Sequence, residues 1–216
     1  MGKQPPPQLA PFPRPMGIFT PFVAKQTETL ILKEKVLSLS GNSFDIGLAN
    51  GQPIFKVKGE SFSLSSRMNV SDMAGNLLFC IRKKHFKLHT TYYAESATGK
   101  EIFEVQSRFK FGGSKFIGTF TSASGQREEL LMKGDWSDTT AEITDEASGQ
   151  PVAAVYRDRW NAREWLGGQQ TYNVTIAPNV DMAIIVAMCI CLDMKRNEAK
   201  ASGGGDGGGS LIGAGA

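Results

Sequence analysis

The chain has 216 residues, 41% of them hydrophobic and 21% charged, with a formal net charge of +3. That balance suits one globular domain with short extensions, and it lies outside the compositions of disordered, collagen-like and disulfide-scaffold chains. The charge is too small to imply a nucleic-acid partner, and the three cysteines, Cys80, Cys189 and Cys191, form no CxxC spacing of the kind that marks zinc ribbons or dithiol redox sites.

Residues 1–27 come first and hold seven of the ten prolines. They read as a Pro-rich flexible N-terminal tail with polyproline character. Met1-Gly2-Lys3-Gln4-Pro5-Pro6 lacks the apolar stretch of a signal peptide. With an odd cysteine count, this leads to the expectation of a reducing, cytoplasmic setting.

From residue 28 the pattern becomes β-like and periodic. A first strand is expected over 29–39, TLILKEKVLSL. Then glycines recur at 51, 75, 99, 125 and 149, each in a short polar turn such as Asn50-Gly51-Gln52 or Ser148-Gly149-Gln150. Glycine enters φ > 0 without steric penalty, which tight hairpins need. The spacing predicts five hairpins: 43–48 with 53–58, 69–73 with 77–84, 88–94 with 101–108, 115–121 with 128–134, and 140–145 with 152–158. A last strand, 171–176, brings the total to about twelve. An antiparallel sheet of that size is expected to close or split, because open edges invite further pairing.

Pro178 ends the last strand, and Asn179 is the expected N-cap of a helix. The run from Met182 to Leu192 is apolar on every side. Ile184, Ile185, Met188 and Leu192 are its expected core residues. A helix without a polar face must be surrounded. A barrel threaded by the helix satisfies this, as do a sandwich gripping it or a covering partner. Membrane insertion of the scramblase kind is a further reading, which fails on length unless the protein oligomerises. The uninterrupted run covers about 16 Å, against the roughly 30 Å of a bilayer core. The Gly-rich stretch 198–216 reads as a flexible C-terminal tail.

The order of hairpin train, strand, and Pro178-Asn179-Val180-Asp181 entering an apolar helix resembles the LURP-one-related family of the Tubby C-terminal-like superfamily, and phospholipid scramblases are similar in plan. The segment from Thr171 to Asp181, TYNVTIAPNVD, carries the most specific match, with Gly75-Asn76-Leu77-Leu78-Phe79 and Leu131-Met132-Lys133-Gly134-Asp135-Trp136 beside it. The resemblance implies a mainly β fold: a closed twelve-stranded antiparallel β-barrel around a central hydrophobic C-terminal α-helix, with 28–197 as the barrel domain. It implies no reaction.

Chemistry-bearing residues are few. Arg82-Lys83-Lys84-His85-Phe86-Lys87 continues a strand, so Arg82 and Lys84 share one face and Lys83 takes the other. Two cations on one face can hold a phosphate by charge and hydrogen bonds, or simply discourage edge pairing. Tubby proteins bind a phosphoinositide headgroup with a basic stretch after the equivalent turn and strand. The resemblance therefore carries Arg82 and Lys84, with Lys87 nearby, over as ligand-binding positions. Arg157, Arg159 and Arg163 beside Trp160 and Trp165 form a second basic group, read as a barrel-end plug or a contact rim. His85 and His89 straddle a strand join with no third ligand at metal-site spacing.

These readings give the expectation of a non-catalytic cytoplasmic binding or scaffold protein, a monomer, needing no cofactor and with an unidentified protein partner. The alternative is a peripheral protein at the inner face of the plasma membrane that reads anionic phospholipid headgroups.

Overall fold

The five recurring turns close five antiparallel hairpins. Their glycines have φ between 71 and 90°, the left-handed region where a Cβ is penalised. In the first turn Leu48 N–H donates to Gln52 O at 2.8 Å and Gly51 N–H returns to Leu48 O at 2.9 Å. The turns at Gly75, Gly99 and Gly125 repeat this pattern.

The computed structural model describes residues 8–33, 43–60, 67–85, 87–110, 113–135, 140–157 and 171–203. The strands are β1 Glu28–Lys33, β2 Ser43–Leu48, β3 Pro53–Glu60, β4 Arg67–Asp72, β5 Leu77–Lys84, β6 Thr91–Glu95, β7 Glu101–Lys110, β8 Gly113–Thr121, β9 Arg127–Asp135, β10 Thr140–Asp145, β11 Pro151–Arg157 and β12 Thr171–Ile176. Each pairs with its sequence neighbours, and β1 pairs with β12 to close the barrel. The closing register runs from Glu28↔Ile176 to Lys33↔Thr171. The β1–β2 seam is shorter, with Leu30↔Leu48 and Ile31↔Gly47 in register.

Helix α1, Met182–Gly203, follows β12 and passes through the barrel. Every residue from 182 to 194 is buried, among them the expected core positions Ile184, Ile185, Met188 and Leu192. Phe55, Phe79, Tyr92, Phe116, Leu130 and Met132 supply the surrounding wall. The fit is close at Gly118, where a Cβ would lie 3.0 Å from the Phe103 ring and 3.3 Å from Met188 Sδ. Closure explains why no helix face is polar: the barrel wall contacts all of them.

Three expectations differ from the structure. Residues 8–27, read as a flexible lead, pack across the barrel end that holds the glycine turns. Phe12, Met16 and Ala24 are buried there. The prolines suggested a solvated tail, but the residues between them are anchors. Second, Asn179 is not the helix cap. It adopts φ 70° in the turn before the helix, and the Asp181 carboxylate accepts from Ala183 N–H at 2.9 Å. Third, α1 continues to Gly203, so 198–203 belong to the helix rather than to the C-terminal tail. Glu198 is held there by Lys83. The first strand is described only to Lys33, and the rest of its expected span lies outside the described residues.

Candidate functional site

Strand β5 sorts its basic residues by alternation. Phe79 and Ile81 face the core, so Lys83 also faces in, while Arg82 and Lys84 face out. The register sets Arg82 opposite Tyr93 on β6, and Tyr93 opposite Glu104 on β7. Arg82 Nη1 lies 3.2 Å from Glu95 Oε2. Lys84 Nζ lies 2.7 Å from Glu101 Oε1 and 2.6 Å from Glu104 Oε2, and 5.3 Å from the centre of the Tyr93 ring. The expected pairing of Arg82 and Lys84 on one face is thus present, but this face also carries three carboxylates. Hydrogen bonding to Glu95 raises the pKa of Arg82. Burial pulls Lys84 down, yet its two carboxylate partners outweigh this and leave it raised. Lys87 is exposed on the β5–β6 connection, apart from the ladder. An open groove of about 270 Å³ adjoins the ladder, lined by Glu101, Glu104, Thr119, Thr121 and Arg127 among others.

The inward branch of the same strand forms a second, partly buried set. Lys83 Nζ meets Glu198 Oε2 on α1 at 2.6 Å. The Tyr92 hydroxyl is fully buried nearby. Burial, reinforced by the charge of Glu198, raises its pKa far above the usual phenol range. One turn earlier on α1, Lys195 donates to Ser107 Oγ at 2.5 Å and lies over the Phe116 ring. Burial lowers the pKa of Lys195. Sequence reasoning missed this set. Its signal was present in the inward parity of Lys83 and in the charges that follow the apolar run of α1.

The remaining chemistry is quiet. Burial pushes the Cys189 thiol up to about 12 and Cys191 higher still, which removes thiolate reactivity. Among the described residues no group of three or more His, Cys, Asp or Glu side chains is placed to hold a metal ion. No described helix is long and apolar enough to cross a membrane. The basic and tryptophan-containing group at 158–165 lies outside the described residues, and Arg157 marks the end of β11.

This barrel and its central helix match known proteins. The family model described as LURP-one-related matches residues 28–193. The chain belongs to the LURP-one-related family. It is 26% identical over 188 residues to Protein LURP-one-related 10 of Arabidopsis thaliana, covering 82% of this chain and 95% of that one. It is 31% identical over 166 residues to the uncharacterized protein YxjI of Bacillus subtilis (strain 168), covering 76% of this chain and 91% of that one. An X-ray structure of another Arabidopsis thaliana protein shares the fold with a TM-score of 0.60 at 20% identity, over 84% of this chain and 99% of that one. The LURP-one-related match starts at β1 and stops within α1, so the packed segment 8–27 lies outside it.

Proposed function

We propose that this LURP-one-related protein is a non-catalytic intracellular binding module. In this reading the barrel is a rigid platform, and the outer face of β5–β7 is the surface that meets a protein partner. One observation carries it: Arg82 and Lys84 are held by Glu95, Glu101 and Glu104 in a cross-strand ladder. A headgroup phosphate would have to displace those carboxylates and would face their residual negative charge. A protein surface bearing both signs of charge can instead match the ladder as it stands.

The test is paired. The wild type and the Arg82→Ala/Lys84→Ala variant are each cross-linked in cell extract, and each is sedimented with phosphoinositide vesicles and with charge-matched phosphatidylserine vesicles. The expected result is a discrete cross-linked partner lost in the variant, unchanged melting, and no preference for phosphoinositide. Phosphoinositide-selective sedimentation that disappears in the variant would overturn this reading in favour of lipid binding.

A further inference from the structure

The N-terminal segment 8–24 is bound as a peptide ligand would be bound. Anchors alternate with prolines: Phe12, Arg14 and Met16 turn towards the barrel, while Pro11, Pro13 and Pro15 are exposed. Prolines fix their own φ and bias the preceding residue away from helix, so the backbone of Ala10, Phe12 and Arg14 is restricted before it binds. Phe12 and Met16 are 3% and 1% exposed. Arg14 makes a two-pronged pair with Glu128, 2.5 Å from Nη1 to Oε1 and 2.9 Å from Nη2 to Oε2. Glu128 is a carboxylate only 3% exposed that faces into the barrel end. Asp145 adds a second negative charge to this socket.

The backbone contacts also fit that mode. Phe12 N–H donates to Pro178 O at 3.0 Å, Met16 N–H to Asn179 O at 2.8 Å and Ala24 N–H to Val180 O at 2.9 Å. Two side chains and one further backbone amide complete the grip from the barrel. Asn179 Nδ2 donates to Phe12 O, Gln150 Nε2 donates to Ala10 O and Pro11 O, and Ala123 N–H donates to Gly17 O. Main-chain bonds with pockets for alternate side chains are the standard means of recognising extended peptides.

We propose that the barrel end formed by Glu128, Gln150 and residues 178–181 is a peptide-binding site. Segment 8–24 is its built-in occupant, and it competes with protein segments of the pattern apolar–Pro–Arg–Pro–apolar–Gly. The segment precedes the residues 28–193 that the family model matches. Its tether keeps it at an effective concentration of around millimolar, so a partner gains access only when the segment is weakened or outcompeted. This site shares no residue with the β5–β7 ladder, so the two proposals stand or fall separately.

The probe is a fluorescent peptide with the sequence of residues 8–24, added to the full chain carrying Phe12→Ala/Arg14→Ala/Met16→Ala. Anisotropy should show saturable binding. A peptide with Arg14→Glu should bind about tenfold or more weakly, and the wild-type protein should bind the normal peptide at least about tenfold more weakly than the triple variant. Absence of saturable binding, or indifference to the arginine, overturns the proposal. So does a triple variant that no longer melts cooperatively, because the segment would then belong to the folding core. Hydrogen exchange on the wild type gives an independent reading. The amides of Phe12, Met16 and Ala24 should exchange at least about a hundredfold faster than those of residues 185–190, through local release. Equal protection of both sets overturns the proposal as well.

Discussion

Asp181 is fully buried, and both of its carboxylate oxygens accept from backbone donors. Oδ2 accepts from Ile18 N–H at 3.0 Å and from Phe19 N–H at 2.7 Å, while Oδ1 accepts from Ala183 N–H at 2.9 Å. One side chain therefore starts α1 and fastens the N-terminal segment. Burial raises its pKa to about 6, even though the three donors favour the charged form. The folded protein thus holds this proton more tightly than the unfolded chain, whose value is 3.8. Stability from this group is present below pH 4 and is lost as pH rises through about 6. Asp181→Asn removes the titration, and its amide would also set N–H₂ against backbone donors. Urea denaturation from pH 4 to 7 should show the wild-type advantage over the variant shrinking by roughly 2 kcal/mol, at about 1.4 kcal/mol per pKa unit. A constant gap would show that Asp181 is not the titrating group. Gly17 meets the same carboxylate. A Cβ there would come within 2.6 Å of Asp181 Oδ2, at a backbone φ of 152°. Gly17→Ala should therefore cost about 1–3 kcal/mol, read as a lower denaturation midpoint.

At the scale of elements, strand parity decides which charges matter to stability. Lys83 and Glu198 join β5 to the last turns of α1, but their side chains are 33% and 32% exposed. Such pairs contribute little, about 0–1 kcal/mol. Lys83→Ala should leave the melting temperature almost unchanged and speed hydrogen exchange only over residues 198–203. A large drop in melting temperature would mean the pair secures the whole helix. Ile185 gives the opposite case. It is 0% exposed at the barrel axis, where an unpaired carboxylate has no partner and a high desolvation cost. Ile185→Asp should abolish folding, and a soluble, cooperatively melting variant would refute the central position of α1. The strands and this helix were legible because periods of two and the all-round apolar run are local signals. The anchors of the N-terminal segment were not. Phe12, Arg14 and Met16 alternate with prolines in a way that reads locally as a solvated polyproline stretch, and only the distant Glu128 and residues 178–181 give them a place to bind. The basic stretch was legible in its parity but not in its neutralisation, since Glu95, Glu101 and Glu104 reach Lys84 and Arg82 only through the β5–β6–β7 register.

For the whole molecule, closure and helix insertion are one event. The β1–β12 register joins Glu28 to Ile176 across nearly the full domain, and sheets built from such distant pairings fold slowly because loop entropy is lost before contacts form. The barrel wall has no alternative filling. Phe55, Phe79, Tyr92, Phe116, Leu30 and Met132 all point at the axis that α1 occupies. Without the helix they would enclose a cavity ringed by twelve strands, and the cost of a core void grows with its volume. Among the described residues the β1–β2 seam has the fewest positions in register, Leu30↔Leu48 and Ile31↔Gly47. A chain ended at Ala177 should therefore not persist as a hollow barrel. The expected outcome is a collapsed state with strand-like far-UV circular dichroism, no near-UV aromatic signal and no cooperative melt. Adding a synthetic peptide of residues 178–203 should restore the near-UV signal if the wall can close around it. A truncated chain that melted cooperatively on its own would show that the strands form a self-sufficient sheet and that the helix fills a space already made.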